Sequence, residues 1–447
     1  MDDKRHKAEE IVRTLRERGY AAYFAGGCVR DMLSGAAPKD YDVATSARPE
    51  QVQEVFPKTV AVGAAFGVIL VLQGDQSIEV ATFRSDGNYV DGRRPESVAF
   101  TTAEEDARRR DFTINGMFLD PVTGEVLDFV NGQADLRRKM LRAIGEPRQR
   151  FREDKLRMLR CVRFAVALGF EVEAECWSAV REMAGEVRSV SPERIREELT
   201  KILTGPHAGQ GLQKLFESGL LEQVLPEAVA MRGCPQPAQY HPEGDVFTHT
   251  CIMLDSLEDP SPVLAWSVLF HDISKPDCLS FGEDGQPHHY GHEKKGAEVA
   301  VTVLRRLHAP NELIAGVHDA VLYHMQFKDV QRMKLSTVKR MMSRPGFEEE
   351  MALHRADCLS SHGRLDNHDY LRRLQTELPP GQIDPPPLLS GRDLMALGIE
   401  PGPGMGKILE EIRELQLESR LTSFEEARQW VLEGPRKQTH DGNTETT

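Results

Sequence analysis

Asp40 and Asp42 stand two residues apart in the stretch AGGCVRDMLSGAAPKDYDVAT, residues 25–45. In an extended chain, positions i and i+2 share a face, so both carboxylates can serve the same divalent ions. Ions held there activate an attacking hydroxyl and shield a leaving pyrophosphate. Taken alone, the pair reads equally as a solvated strand edge. The residues before it sharpen the reading. Gly26 and Gly27 end an apolar run, where missing side chains let backbone N–H groups approach a triphosphate, and Arg30 comes next at the start of a helix. Sites of this kind use a third carboxylate. Glu79, in SIEVATFR, is the candidate, because alternation sets it and Ala81 opposite Ile78 and Val80. An ordinary solvent-facing glutamate is the equal alternative.

Further along, RRRDFTINGM (108–117) flanks an apolar core with Arg110, Asp111 and Asn115. Asn115 suits a ribose hydroxyl and Arg110 a phosphate, with capping or ion pairing as the competing roles. In RFREDKLRMLRCVRF (150–164), Asp154, Arg157 and Arg160 recur every three residues, which predicts one row on a helix. An aspartate accepts from an exocyclic amine, and a guanidinium donates to a ring nitrogen or carbonyl. Such a pair meets cytosine or adenine on the Watson–Crick edge and rejects uracil and guanine, whose polarity is reversed. The plain alternative is an intrahelical ion pair, worth about 0.2–0.5 kcal/mol.

The second half of the chain holds another set of chemistry-bearing residues. His249 lies in DVFTHTCIML, His271 and Asp272 in VLFHDISKP, and Asp357 in HRADCLSS. Histidine and aspartate together suit borderline and hard divalent cations. His292 and His324 raise the possibility of a second ion, while His288, His289, His308, His318 and His354 read as structural.

The elements that position these residues divide the chain. An amphipathic helix with Ile11, Val12 and Leu15 on its apolar stripe opens it. Short apolar runs then alternate with turns (AAYFAGG, TVAVGAAFGVILVLQG, SIEVATF, EVLDFV) and predict a mixed sheet. From Phe151 onward the spacing is helical, punctuated by proline and glycine clusters at 233–244, 378–389 and 398–406. The expected fold is α+β: a small mixed-sheet unit (1–148), a helical neck and body (149–240), a helical metal-binding unit (241–375), a helical tail region (376–435) and a disordered end (436–447).

Together GGCVRD, DYDVAT, RRDFTING, DFVNGQADL, EDKLRMLR and SPERIREEL resemble the class II tRNA nucleotidyltransferase and bacterial poly(A) polymerase family, in the family's order, over roughly residues 20–205. The resemblance implies a palm-like catalytic unit, Mg²⁺ at Asp40 and Asp42, and protein-templated base selection by Asp154 and Arg157. It maps nucleotide-contacting arginines onto Arg30, Arg110, Arg157, Arg160 and Arg163. DGNYVDGRRPESV (86–98) resembles the family's flexible loop, which favours CCA or A addition over CC addition. The H…HD…D order resembles HD-superfamily metal phosphohydrolases, implying a divalent metal of unspecified identity. Residues 388–430 resemble the segment that follows such domains and imply contact with the tRNA elbow; its glycines Gly391, Gly398, Gly402 and Gly406 read equally as helix stops.

Composition bounds the rest. The 447 residues, 40% hydrophobic and 28% charged, fit several compact units with no membrane span. The charged N-terminus and seven cysteines without a C-x-x-C pair predict a cytoplasmic chain. A net charge of −14 argues against bulk electrostatic binding of nucleic acid, but Arg108–Arg163 holds 14 basic against 8 acidic residues, a track for a phosphate backbone. The expected reaction is transfer of CMP and AMP from CTP and ATP to a tRNA 3′ end. The alternatives are A-only or poly(A) addition, or an HD phosphohydrolase whose N-terminal half only binds RNA.

Overall fold

Ala8, Ile11, Val12 and Leu15 recur at helical spacing, and all four are buried where the helix Asp3–Glu17 (α1) lies on a sheet. The structure, a computed structural model, describes residues 3–63, 67–86, 98–237, 239 and 241–433. The apolar runs become β1 (Ala22–Ala25), β2 (Asp42–Thr45), β3 (Thr59–Gly63), β4 (Val68–Gln73) and β5 (Gln76–Thr82). Strands Met117–Leu119 and Val126–Asp128 complete a seven-stranded sheet in the order β3-β4-β5-β2-β1 followed by these two. Within this sheet only the β2–β5 pairing is parallel among the described residues, so the sheet is mixed as expected.

That parallel pairing decides which side chains stand together at the strand ends. Its register puts Asp42 beside Glu79, while β1 places Ala25 on the other side of Asp42. Strand alternation buries Val43 and Val80 beneath them, so a one-residue slip would bury the carboxylates. The chain leaves β1 through Gly26, whose φ of 73° and ψ of −130° lie where side chains are strained.

Beyond residue 147 the chain is almost wholly helical. The structure corrects the expected row of Asp154, Arg157 and Arg160 on one helix. One helix ends at Glu153 and the next runs Leu156–Leu168, so Asp154 sits in the break with extended φ and ψ of −148° and 104°. Arg157 and Arg160 lie on the second helix.

One apolar core runs from Phe112 to Ala356 and crosses the expected division at residue 240 without interruption. Trp266 is fully buried in it, and its indole N–H donates to Thr200 Oγ1 at 3.0 Å. The last third carries two smaller cores, one around Phe327, Met351 and Leu371 and one around Leu389, Ile412 and Ala427. In the second, Gly398 stands just past a helix end with φ of 85°, the geometry of a helix stop. The loop expected at 86–98 falls almost entirely outside the described residues, as does 436–447.

Gly209 is where the body helix Ala208–Glu217 meets the helix Val246–Asp255. A Cβ there would overlap the Cys251 carbonyl oxygen. Backbone cannot yield as a side chain would, so overpacking outweighs the ~1 kcal/mol helix-propensity gain of alanine. Gly209→Ala is expected to lower the denaturant midpoint, at a net cost of about 2 kcal/mol. An unchanged midpoint would mean the two helices are free to separate.

Candidate functional site

A cavity of about 560 Å³ opens between the sheet and the body helices. Its lining includes Gly26, Gly27, Arg30, Asp42, Glu79, Arg110, Asp111, Asn115, Asp154, Arg157 and Arg160, residues that come from separate stretches of sequence. Two expected members are elsewhere. Asp40 precedes β2, is largely exposed, and pairs with Lys4 of α1. It is still close enough to act electrostatically on Asp42. Arg163 does not line the cavity; it lies over the Phe164 ring and donates to Glu198 at 2.6 Å.

The Asp42 carboxyl opens onto the cavity, but the surrounding walls strip bulk water from it. This desolvation, followed by the charge of Glu79, pushes its pKa up to about 6. Carboxylate oxygens are the donor set for a hard divalent cation, and the repulsion, which Arg110 and Lys4 offset only in part, is what such a cation relieves. No three oxygens of Asp40, Asp42 and Glu79 close to within 4.8 Å, so the trio is an open acidic mouth rather than a closed cage.

Opposite the acids stand guanidinium groups. Seven arginines line the cavity against four carboxylates, so its balance is positive although the chain is acidic. Buried acids hold them in place. Asp106, 1% exposed, accepts from Arg109 Nε at 2.8 Å and from Arg110 at 3.0 Å. Asp111 accepts from Arg160 Nε at 2.8 Å and from Asn115 Nδ2 at 3.2 Å, and Asn115 Oδ1 accepts from Arg30 at 2.9 Å. Burial works to raise the Asp111 pKa, but the Arg160 charge and these bonds overcome it and hold it at about 2. Arg110 also explains Gly26: a Cβ there would lie 3.1 Å from its guanidinium.

Asp154 and Arg157 both face the cavity, but they do not pair with each other. Asp154 Oδ2 accepts from Arg194 at 2.7 Å, and Oδ1 accepts from the Leu156 N–H at 3.1 Å. Arg157 donates to Glu153 at 2.7 Å and to the carbonyls of Arg150 and Arg109 at 2.9 and 3.1 Å. Sequence reasoning missed Arg109, Arg194 and Asp106. Arg194 lies inside the SPERIREEL motif, but its partner is 40 residues away.

The second centre draws on five helices, with Asp357 on Phe347–Ser360. His249 lies within the helix Val246–Asp255, His271 and Asp272 lie just beyond Pro262–Phe270 rather than on it, His292 opens His292–Arg306, and His324 comes directly after Asn311–Tyr323. His271, His292 and His324 each donate Nδ1–H to a carbonyl three residues back, at 2.8, 2.7 and 2.6 Å. In the neutral ring this fixes the tautomer, with the lone pair on each Nε2. Those atoms converge on Asp272: His271 Nε2 is 3.1 Å from one oxygen and His292 Nε2 is 3.3 Å from the other. His292 and His324 face each other Nε2 to Nε2 at 3.2 Å. His249 Nε2 stands 3.1 Å from Asp357 and its Nδ1 2.6 Å from Glu243. Both His249 nitrogens and His271 Nε2 are buried without a well-formed hydrogen bond. Lys275 takes one oxygen of Asp272 at 2.6 Å. Sequence reasoning missed Glu243 and His241, which form a further cluster with His249.

Residues 22–142 match the family described as "Poly A polymerase head domain", and 169–231 that described as "Probable RNA and SrmB- binding site of polymerase A". The CCA-adding enzyme of Lactobacillus helveticus is 32% identical over 433 residues, spanning 96% of both chains. That of Geobacillus stearothermophilus is 45% identical over 211 residues, 47% of this chain and 52% of that protein. The crystal structure of the Bacillus stearothermophilus CCA-adding enzyme in complex with CTP superimposes with a TM-score of 0.74 at 28% identity, covering 97% of this chain and 98% of that one.

Asp42 gives a test that needs no activity. An acid whose folded pKa exceeds its unfolded value costs stability at high pH, and that cost fades as pH falls through the folded pKa. Asp42→Asn is therefore expected to melt above the wild type in chelator at pH 8, with the gap closing below about pH 6, the value to which Asp42 is raised. Equal melting at pH 8 would show that the two carboxylates do not strain the metal-free fold.

Proposed function

This chain belongs to the CCA-adding enzyme family, and from that premise we propose how its cavity carries out the reaction. The activity is addition of CCA to the 3′ end of tRNA from CTP and ATP. What carries the proposal is the convergence in one cavity of an acidic mouth, a cluster of arginines and an Asp–Arg pair. Because its substrate is tRNA, we place the enzyme in the cytoplasm.

Asp42 and Asp40, with Glu79 beside them, are the residues that would hold divalent ions, which we take to be Mg²⁺. Such ions, when bound, acidify the attacking 3′-hydroxyl and neutralise the departing pyrophosphate. For Asp40 to join, its contact with Lys4 must give way. The backbone at Gly26 and Gly27 admits the triphosphate, and Arg30, Arg110 and Arg160 hold its charge. Asp154 accepts from the amine of cytosine or adenine, and Arg157 donates to the ring acceptors, so the protein replaces a template. Arg163, held by Glu198 outside the cavity, supports this wall rather than touching nucleotide. The basic strip 108–163 then carries the RNA backbone to the mouth.

The second centre supports a further reading, as a metal-dependent phosphohydrolase. Buried imidazoles with tied Nδ1 and bare Nε2 are the donors a divalent cation takes. His249, His271, Asp272 and Asp357 are the residues that would hold one ion, and Asp272 with His292 and His324 would hold a second. The metal supplies Lewis-acid activation for cleaving a phosphoester.

Two outcomes are expected. With a tRNA transcript lacking CCA, labelled CTP and ATP are both incorporated and addition stops after one A, whereas Asp42→Ala reduces incorporation to background. Refusal of CTP, or unlimited tailing with ATP, would overturn the assignment. In the second test, purified protein binds divalent metal by elemental analysis, and His271→Ala and His324→Ala each lose metal while CCA addition persists. Wild-type protein that retains none after incubation with zinc, manganese or iron would remove the second centre.

A further inference from the structure

Asp154 lies in a break between helices, so no helical backbone orients its side chain. Two bonds do that work. The Leu156 N–H holds Oδ1, and the guanidinium of Arg194, on the helix Pro192–Leu203, holds Oδ2. Arg194 is mostly buried and lines the same cavity as Asp154. Two of the carboxylate's roughly four acceptor positions are thereby used, and the rest remain for a base amine. Arg157 shows the complementary pattern. Three of a guanidinium's five N–H groups are committed to Glu153 and two carbonyls, which leaves two for ring acceptors.

We propose that Arg194 is a positioning residue for base selection: it holds Asp154 away from Arg157, so that the acceptor and the donors present separate edges to the incoming nucleotide. This rests on the reading that Asp154 and Arg157 select the base. Without Arg194, Asp154 keeps only the Leu156 N–H and is free to turn toward the other arginines that line the cavity, Arg157 among them. Asp154 and Arg157 would then neutralise each other, and the edge that distinguishes cytosine from uracil, and adenine from guanine, would close. A misplacement of about 1 Å in a reading group costs roughly a hundredfold. The helix carrying Arg194 thus acts on fidelity without touching the base.

The test is single-turnover kcat/KM for CTP against UTP on a transcript ending before the first C, and for ATP against GTP at the last step. Arg194→Ala is expected to lower both ratios by about tenfold or more. Arg194→Lys, which restores one donor, should recover part of the loss, and it carries the test if the alanine variant does not fold. Asp154→Asn should lower the same ratios, and adding Arg194→Ala to it should lower them no further. Unchanged ratios in Asp154→Asn would sink the base-reading assignment itself. Lowered ratios there with normal ratios in Arg194→Ala would sink only the role of Arg194. So would equal rises in KM for all four nucleotides in Arg194→Ala, the mark of a phosphate contact, or a full additive loss in the double variant.

Discussion

Seven guanidinium groups cannot share one cavity unless negative charge stands behind them. Two like charges about 4 Å apart repel by about 4 kcal/mol at an effective dielectric near 20. Here Asp106, Asp111, Glu153 and Glu198 supply that charge from the wall, each bonded to one or more of the arginines at the site or beside it. Asp111 stays ionised at about pKa 2 despite burial, which shows the attraction winning over desolvation. The arginines are therefore fixed before any nucleotide arrives, and the cost of ordering them is met on folding rather than on binding.

The acids at the sheet edge and the clustered imidazoles are arranged on the opposite principle. Asp42 and Glu79 are forced side by side by strand register, and among the described residues no basic group bonds to Asp42. His292 and His324 are brought together by two helices, Nε2 to Nε2 at 3.2 Å. In both places like groups are held together with only partial relief, whereas the arginines of the cavity are paired. Lys275 on Asp272 is the exception: an internal cation already takes part of that oxygen.

Local chemistry was legible in the sequence, and partnership was not. The Gly-Gly turn, Asp42 of the D-x-D pair, Glu79 by alternation and the H…HD…D order all depend on residues near one another or on strand and helix period, and the structure brings them together in two clusters. The row of Asp154, Arg157 and Arg160 failed because spacing cannot reveal a helix break; Lys155 and Asp154 carry no proline or glycine to mark it. Asp40 moved out of the cavity because Lys4, 36 residues earlier, claims it. Nothing in their spacing distinguishes Asp106 and Glu198 from other acids in charged helices; burial makes the first the counterion of Arg109 and Arg110, and packing across 35 residues gives the second Arg163.

Shared packing also limits how far the two centres can be treated as separate parts. The helix Pro262–Phe270, which ends at His271, buries Trp266 against Thr200 of the helix that carries Arg194. The same helix packs through the core that continues from Phe112 beside the nucleotide cavity to Ala356 beside Asp357. Interiors packed this closely transmit displacement instead of absorbing it. A change that shifts Pro262–Phe270 therefore reaches both His271 at one end and, through Thr200, the helix that orients Asp154. Cutting the chain at residue 240 would expose the apolar faces of both halves, so the helices after residue 240 belong to the same folding unit as the body before it.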